Sequence, residues 1–165
     1  MDYRIGHAYD IHRLENNRKL ILGGVEIAYP KGLLGHSDAD CLLHAITEAI
    51  IGALGLGDLG THFPESDSQY KDKPSSYFVR EARKMLQANN YSFVNLDATV
   101  FIEEPMLRPY VLAMKKNIAT LLNVDESQIN IKATRGEKIG CIGRSEGIAA
   151  EAVVLIAKKK EFKKL

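Results

Sequence analysis

Tryptophan is absent from this chain of 165 residues, and cysteine occurs only twice, as Cys41 and Cys141. Two cysteines this far apart match no disulfide framework and no cysteine-based zinc motif. We therefore expect free thiols and a cytoplasmic protein, because thiols stay reduced in that compartment. The opening residues, MDYRIGHAYD, resemble neither a secretory signal nor a transit peptide. A plastid location stays open only for a protein from which a transit peptide was removed.

Long apolar runs and an excess of charge are also missing. The longest apolar run, AIIGALGLG at residues 49–57, is much shorter than the roughly 20 residues that cross a membrane. Lysine and arginine number 22, aspartate and glutamate number 21, and the net charge is +1. Such a chain has no global positive field with which to hold nucleic acid or an anionic membrane. We expect neither partner, so any anion that binds must be held by a local site.

The composition that remains, 45% hydrophobic and 26% charged residues, is typical of a single globular domain. The sequence contains no internal repeat and no proline-rich or serine-rich linker. Residues 1–160 are therefore predicted to form one domain. Residues 161–165, at the end of a lysine-rich stretch, are predicted to form a basic tail.

Hydrophobic periodicity predicts a mixture of strands and helices. Alternating apolar residues predict strands at 4–14, 19–29, 94–102, 129–134 and 148–156. Gly23–Gly24 divides the second of these into a hairpin. Helical spacing predicts three helices, from Ser37 as N-cap to Gly55 or Gly57, from Pro74 to Ala88, and from Pro109 to Leu122. These elements predict an α+β fold: a single-domain sandwich with a mainly four-stranded mixed sheet, about three helices on one face, and a small N-terminal hairpin.

Histidine is concentrated near the start of the chain. Asp10 and His12 stand two residues apart on a predicted strand, so their side chains share one face of the sheet. His44 lies on the first predicted helix and supplies a third ligand. Two imidazoles and one carboxylate are typical of a catalytic zinc site whose fourth position is open. His36 and Ser37 come at the start of that helix, where free N–H groups favour an anion such as phosphate.

A structural interpretation of the same residues is also open. Asp10 and His12 are then exposed strand residues, and His44 is a helix histidine with its hydrogen bonds satisfied. Asp40 has two candidate roles. It either accepts the second ring N–H of His44, one helical turn away, or belongs to the capping box of the helix.

Two glycine-rich segments, residues 57–67 and 133–147, are candidates for binding phosphate through backbone N–H groups, although glycine also serves in ordinary turns. The second segment adds hydroxyl, cationic and carboxylate side chains that can hold Mg²⁺ against a diphosphate: Thr134, Arg135, Glu137, Lys138 and Arg144. No Walker or Rossmann glycine pattern is present, which argues against a P-loop or dinucleotide fold.

Three stretches together resemble the 2-C-methyl-D-erythritol 2,4-cyclodiphosphate synthase family over essentially the whole chain: RIGHAYDIHRL, the block that contains GHSDADCLLH, and IKATRGEKIGCIGRSEGIAAEAV. Members are homotrimers of the non-mevalonate isoprenoid pathway, with active sites between subunits. The resemblance implies a phosphorus–oxygen lyase that converts 4-diphosphocytidyl-2-C-methyl-D-erythritol 2-phosphate to the cyclic diphosphate and CMP. The 2-phosphate of the substrate attacks its β-phosphate, so the protein needs no nucleophile.

The resemblance also implies roles for individual residues. Asp10, His12 and His44 become the ligands of Zn²⁺ or another divalent transition metal, and Glu137 holds Mg²⁺ or Mn²⁺ at the diphosphate. The implied catalytic residues are His36, Thr134, Arg135 and Glu137. The implied substrate-binding residues are Ser37, Asp58, Leu59, Gly60, Phe63, Pro64, Glu65, Ser66, Asp67, Ile102, Glu103, Glu104, Pro105, Met106, Leu107, Arg108, Gly136, Cys141 and Arg144.

Several residues depart from the family pattern. Arg135 stands where a phosphate-stabilising threonine is usual, so either its charge replaces the hydroxyl or backbone N–H groups take that role. Met106 replaces a usual lysine in the loop whose backbone contacts cytosine. Cys141 replaces an aromatic residue near the trimer axis, where relatives have a cavity for isoprenoid diphosphates. Arg144 and Glu146 beside it either contact such a ligand or form an ion pair that stabilises the trimer.

Two other functions compete with the lyase. A metal-dependent phosphohydrolase can use the same three ligands to activate water, and a linear product would identify it. A non-catalytic trimer that binds nucleotides or isoprenoid diphosphates is favoured only if Arg135 marks a decayed site. The retained metal ligands and Glu137 argue against such decay.

Overall fold

The computed structural model describes residues 2–64 and 66–159. Its strands are β1 (Tyr3–Asn16), β2 (Leu20–Leu22), β3 (Val25–Ile27), β4 (Lys31–Leu33), β5 (Tyr91–Phe101), β6 (Ile129–Thr134) and β7 (Gly147–Lys158). Its helices are α1 (Cys41–Leu54), α2 (Leu59–His62), α3 (Ser75–Ala88), α4 (Val111–Leu122) and α5 (Gly140–Gly143), with 3₁₀ turns at Ser68–Tyr70 and Glu126–Gln128. Glu65 of the predicted substrate-binding set and the predicted tail at 161–165 lie outside the described residues.

The main sheet is mixed and has the strand order β4, β1, β7, β5, β6. Only the β5–β6 pair in it is parallel. β2 and β3 form a separate hairpin around Gly23 and Gly24, which both have positive φ, as their turn requires. The predicted α+β fold is confirmed with one correction, because this sheet has five strands rather than four. The additional strand, β4, has only three residues, too few to show a period of two in the sequence.

The three long helices occupy nearly the predicted segments. α1 ends at Gly55, which takes the left-handed conformation that terminates helices. The prediction that Ser37 is its N-cap is wrong, because Asp40 caps the helix by accepting the N–H of Leu43. α3 follows Pro74 as predicted, whereas α4 begins at Val111, two residues after the predicted start at Pro109.

Close packing of β1 on α1 positions the candidate site. A Cβ atom at Gly6 of β1 would lie 1.8 Å from the carbonyl oxygen of Ala49 in α1. α1 is buried nearly all round, since it packs against β1 and β7 and also against α3. Asp10 and His12 lie farther along β1, and His44 lies in the first turn of α1. All three residues therefore belong to one tightly packed interface.

No helix among residues 2–64 and 66–159 covers the other face of the sheet, and we call it the apolar sheet face. Its large apolar residues are between 42% and 71% exposed: Tyr3, Ile5, Tyr9, Ile11 and Val153. Gly6 and Ala8, which alternate with them on β1, are buried under the helices. Among the helices of the described residues, none is long and apolar enough to span a membrane.

Candidate active site

Side chains from β1 and α1 meet at one point. The Nε2 atom of His12 and the Nδ1 atom of His44 each lie 3.1 Å from the Oδ2 atom of Asp10. The two imidazole nitrogens are 3.2 Å apart. The three predicted metal ligands thus form a ligand triangle, in which each residue presents one donor atom to a common centre.

The ligand triangle has the size that a metal ion requires. Bonds of about 2.0–2.1 Å place the ligands of a tetrahedral zinc ion about 3.3–3.4 Å apart. The separations of 3.1–3.2 Å found here are close to that value. Two nitrogens and one oxygen leave a fourth position for a substrate atom, as in catalytic zinc sites. Asp10, His12 and His44 therefore fit a divalent transition metal.

Each imidazole is oriented by a hydrogen bond at its other nitrogen. The Nδ1 atom of His12 lies 2.9 Å from the carbonyl oxygen of Leu34. A carbonyl only accepts, so Nδ1 carries a proton, and Nε2 is the nitrogen that would bind a metal once its own proton is released. The Nε2 atom of His44 lies 2.8 Å from the hydroxyl oxygen of Ser75, the first residue of α3. Both rings are thus held with a nitrogen directed at the same centre.

Asp10 is ionised beside the two imidazoles. Burial raises the pKa of Asp10, but hydrogen bonds with His12 and His44 outweigh burial and hold that pKa well below its usual range. Burial lowers the pKa of His12, and the hydrogen bond with Asp10 more than compensates, so the pKa of His12 is raised. A carboxylate that is charged at neutral pH meets the first requirement of a metal ligand.

The prediction that Asp40 accepts a ring N–H of His44 is wrong. The carboxylate of Asp40 instead accepts the backbone N–H groups of Gly23 and Gly24, at 3.0 and 2.6 Å, and that of Leu43, at 3.1 Å. Since α1 begins later than predicted, Asp40 is its N-cap and not the inner acid of a capping box. Asp40 is fully buried, and burial raises its pKa to about 6.

A cavity of about 280 Å³ opens beside the ligand triangle. Residues of the predicted site in its wall are His12, His36, Ser37, His44, Leu59, Phe63 and Ser66. The glycine-rich segment 57–67 supplies Leu59, Phe63 and Ser66 and also contains Gly60 and Pro64. Two acids of this segment cap short helices. Asp58 accepts the N–H of Thr61 at 2.8 Å, and Asp67 accepts the N–H of Gln69 at 3.0 Å.

Seven residues of this region had not been predicted for the site, including Gly35, Ala39 and Ser68 in the cavity wall. Tyr70, Lys71 and Phe78 line the cavity, and Ser75 contacts His44. Phe63, Tyr70 and Phe78 form an aromatic cluster with ring centroids 5.0–6.3 Å apart. The apolar spacing of α3 indicates that Phe78 is buried, but not that it borders a cavity. Tyr70, Lys71 and Ser75 carry no such signal in the sequence.

A second group of predicted residues lies beyond β5 and β6. The N–H of Gly136 donates to the carboxylate of Glu103 at 3.1 Å, and the N–H of Ile102 donates to the carbonyl of Thr134 at 2.9 Å. These bonds join two loops of the predicted site. The first holds Ile102, Glu103, Glu104, Pro105, Met106, Leu107 and Arg108, and the second holds Thr134, Arg135, Gly136 and Glu137.

The second loop is exposed and carries backbone strain. Glu137 and Lys138 have φ angles of 50° and 62°, a left-handed conformation that is costly for residues with a side chain and that clusters at functional sites. Arg135 is exposed. Farther along, Arg144 donates to Glu146 at 2.6 Å, so this ion pair forms within one chain.

The ligand triangle and the joined loops lie at the same end of the sheet. Ile11 of β1 and Phe101 of β5 both pair with Ala149 of β7. β6 is three strand spacings, or about 14 Å, from β1. Of the described residues in the two loops, none lines the cavity. A single chain therefore presents two separate parts of the predicted site.

Known proteins resemble this chain over nearly its whole length. The YgbB family matches residues 3–157. The 2-C-methyl-D-erythritol 2,4-cyclodiphosphate synthase of Listeria innocua is 54% identical over 155 residues, which are 94% of this chain and 99% of that protein.

Two solved structures extend the comparison. The CDP complex of IspF from Plasmodium falciparum is 38% identical with a TM-score of 0.84, covering 96% of this chain and 97% of that one. The bifunctional IspDF of Campylobacter jejuni is 39% identical with a TM-score of 0.90 over 94% of this chain, which spans 42% of that longer protein. The matched residues include the ligand triangle, the cavity wall and both loops, so this chain belongs to the YgbB family, as its 2-C-methyl-D-erythritol 2,4-cyclodiphosphate synthase relatives indicate.

Proposed function

We propose that this chain converts 4-diphosphocytidyl-2-C-methyl-D-erythritol 2-phosphate to 2-C-methyl-D-erythritol 2,4-cyclodiphosphate and CMP, in the non-mevalonate route to isoprenoid precursors. The observation that carries the proposal is the ligand triangle of Asp10, His12 and His44 beside a cavity lined by His36 and Ser37. The names of the relatives describe the same product. Both cysteines are free, in keeping with a cytoplasmic enzyme.

Asp10, His12 and His44 would hold Zn²⁺ or another divalent transition metal. When bound, such an ion is a Lewis acid that polarises a phosphoryl oxygen. The protein contributes donors that are already in place, since Leu34 orients His12 and Ser75 orients His44. Pre-oriented ligands avoid the cost of ordering the site when substrate binds.

The cavity would hold the methylerythritol part of the substrate. A volume of about 280 Å³ is at the small end of the range for ligand cavities, which suits a small sugar phosphate. The aromatic cluster of Phe63, Tyr70 and Phe78 offers apolar surface to the carbon skeleton, while His36 and Ser37 contact phosphate oxygens. Holding the 2-phosphate against the β-phosphate gives the intramolecular attack a high effective molarity. No residue of the chain has to act as nucleophile.

Residues of the two loops would bind the rest of the substrate. Glu137 would hold Mg²⁺ or Mn²⁺, which would neutralise phosphate charge, and Thr134 would donate its hydroxyl to a phosphate oxygen. The exposed guanidinium of Arg135 supplies charge in place of the usual threonine hydroxyl. Replacing Arg135 with threonine should then change substrate affinity or turnover, and unchanged kinetics would assign the role to backbone N–H groups. The backbone of residues 102–108 contacts the cytosine, which leaves Met106 without a required contact.

A homotrimer would complete the site. The separation of about 14 Å between β1 and β6 keeps the loops of one chain away from its own cavity. The apolar sheet face exposes five large apolar side chains, and their burial in a subunit interface would place the loops of a neighbour at the cavity. An isoprenoid diphosphate bound near the trimer axis, beside Cys141, would compete with Glu146 for the guanidinium of Arg144.

The deciding experiment measures the product and its metal dependence. Metal-stripped protein receives the CDP substrate with Zn²⁺ and Mg²⁺ added back, CMP release is followed, and phosphorus NMR identifies the product. We expect metal-dependent CMP together with a cyclic diphosphate. Substitution of His44 with glutamine should abolish both, whereas the same change at His62, which bonds the carbonyl of Leu56, should not.

The other outcomes select the competing functions. CMP with a linear product would identify a phosphohydrolase in which the same ligands activate water. Absence of CMP with every metal, in a protein that still binds CDP, would identify a binding module instead of an enzyme.

A further inference from the structure

A chain of hydrogen bonds leads from the ligand triangle into the protein interior. The Nε2 atom of His44 is 2.8 Å from the Oγ atom of Ser75, and the hydroxyl of Ser75 contacts the carboxylate of Asp38. Ser75 is fully buried. Its backbone N–H lies 3.2 and 3.1 Å from the two carboxylate oxygens of Asp38. Neither Ser75 nor Asp38 belongs to the substrate-binding or metal-binding residues described above.

The chemistry of these groups determines the direction of each hydrogen bond. An ionised carboxylate only accepts, so the hydroxyl of Ser75 donates its proton to Asp38. The oxygen of that hydroxyl is then left to accept, and the donor must be Nε2 of His44. In the neutral ring that a metal would bind, the one N–H is then on Nε2, and Nδ1 has the lone pair. Nδ1 is also the atom that faces Asp10 and His12.

We propose that Ser75 and Asp38 are positioning residues for the metal: they hold His44 in the one tautomer and ring orientation that direct Nδ1 at the ligand triangle. This inference rests on the metal site of the proposed function. Outer hydrogen-bond partners fix the tautomer of metal-bound imidazoles and raise their basicity. The carboxylate of Asp38 polarises the hydroxyl and so strengthens its bond with the ring N–H.

A purely structural role for the same pair predicts a different result. Asp38 accepts the first N–H of α3, and Pro74, at the N-cap of this helix, makes no side-chain cap bond. Loss of that contact alone would lower the free energy of unfolding and leave the affinity for metal unchanged. His44 lies on α1, which has its own cap at Asp40. A change in metal binding therefore separates positioning from capping.

The test compares two substitutions at Ser75 with a matched control next to it. Ser75→Ala removes the hydroxyl, Ser75→Thr keeps it, and Ser76→Ala removes a hydroxyl that accepts from Arg80. Chelator competition on the full-length, metal-stripped protein gives Zn²⁺ and Co²⁺ affinities, and the visible spectrum of the Co²⁺ form reports ligand geometry. We expect Ser75→Ala to bind about 10–100-fold more weakly with an altered spectrum. Ser75→Thr and Ser76→Ala should resemble the wild type.

Each outcome bears on a different claim. Equal affinity and spectrum for Ser75→Ala and the wild type would overturn the inference. Failure of the wild type to bind Zn²⁺ would instead contradict the metal site of the proposed function. If Ser75→Ala does not fold, long-range proton–nitrogen NMR of the wild-type zinc form decides. A proton on Nε2 of His44 is expected, and a proton on Nδ1 would overturn the inference.

Discussion

Asp38 and Asp40 show how two acids only two positions apart serve different helices. Asp38 accepts the N–H of Ser75 at the start of α3, and Asp40 accepts the N–H of Leu43 at the start of α1. Ala39 between them has a φ of 53°, in the left-handed region that is uncommon for residues other than glycine. Side chains that accept the free N–H groups at helix N-termini are stabilising, so both helix starts depend on this one segment.

Removal of the Asp40 carboxylate should lower the free energy of unfolding substantially. Asp40→Ala leaves the N–H groups of Gly23, Gly24 and Leu43 without their acceptor at a fully buried position. We expect the free energy of unfolding to fall by about 2–4 kcal/mol, measured by urea denaturation. Asp125→Ala removes an exposed cap on Ser127 and should lower the free energy of unfolding much less. Equal losses for the two variants would contradict this account of Asp40.

Asp40 should also give stability a particular pH dependence. Its folded pKa is raised to about 6, above its ordinary value near 4. Its stabilising contribution is therefore complete below about pH 4 and is lost as the pH rises through 6, because the unfolded chain releases the proton first. The advantage of the wild type over Asp40→Asn should fall by about 2–3 kcal/mol between pH 4 and pH 7 in urea denaturation. A difference that stays constant with pH would contradict the prediction.

At the scale of elements, the approach of β1 to α1 holds the ligand triangle together. Gly6 permits this approach, since a Cβ atom there would lie within 3 Å of backbone atoms of Ala49 and Ala53. Backbone atoms in a buried helix cannot move aside as the end of a flexible side chain can. The distance between Asp10 on β1 and His44 on α1 therefore depends on a residue that is itself no ligand.

Gly6→Ala should separate the two elements. We expect a loss of about 3 kcal/mol or more in the free energy of unfolding, together with weaker Zn²⁺ binding. The control is Gly52→Ala on the exposed side of α1, where no atom lies within 4 Å of an added Cβ. That change should stabilise the protein by about 0.5–1 kcal/mol, because alanine favours a helix interior. Unaltered metal affinity in Gly6→Ala would show that this packing does not set the ligand distances.

At the scale of the whole molecule, the proposed trimer should be sensitive to charge on the apolar sheet face. Ile5 is 71% exposed in the single chain and lies on that face. Ile5→Lys should dissociate the trimer, because assembly would bury an unpaired charge. Light scattering should then report the 18.3 kDa of one chain instead of three times that mass. CMP release should be lost, while Zn²⁺ affinity should persist, since one chain contains the whole ligand triangle.

The control for this prediction is Leu112→Lys. Leu112 is 77% exposed and lies on α4, away from the apolar sheet face. This variant should keep the mass and the activity of the wild type. A monomeric wild type with full activity would contradict the proposed assembly.

Local patterns in the sequence predicted most of the elements. Periodicity located the three long helices, and Gly23–Gly24 located the hairpin. β4 was missed because three residues are too few for a pattern. The start of α1 was misplaced because Ser37 and Asp40 are both good N-caps, and local sequence does not choose between them.

The sequence by itself determined which chemical groups are available and which lie on the same element, because spacing along a strand or helix fixes which face a side chain occupies. Asp10 and His12 are such a pair. Tertiary packing alone decided which groups meet across elements. Tertiary packing placed Ser75 beside His44, although the two are 31 residues apart in the sequence. It also directed the carboxylate of Asp40 at the β2–β3 hairpin instead of at His44. It also placed the two loops at a distance from the cavity, because the sheet order sets lateral separation and no local pattern encodes that order.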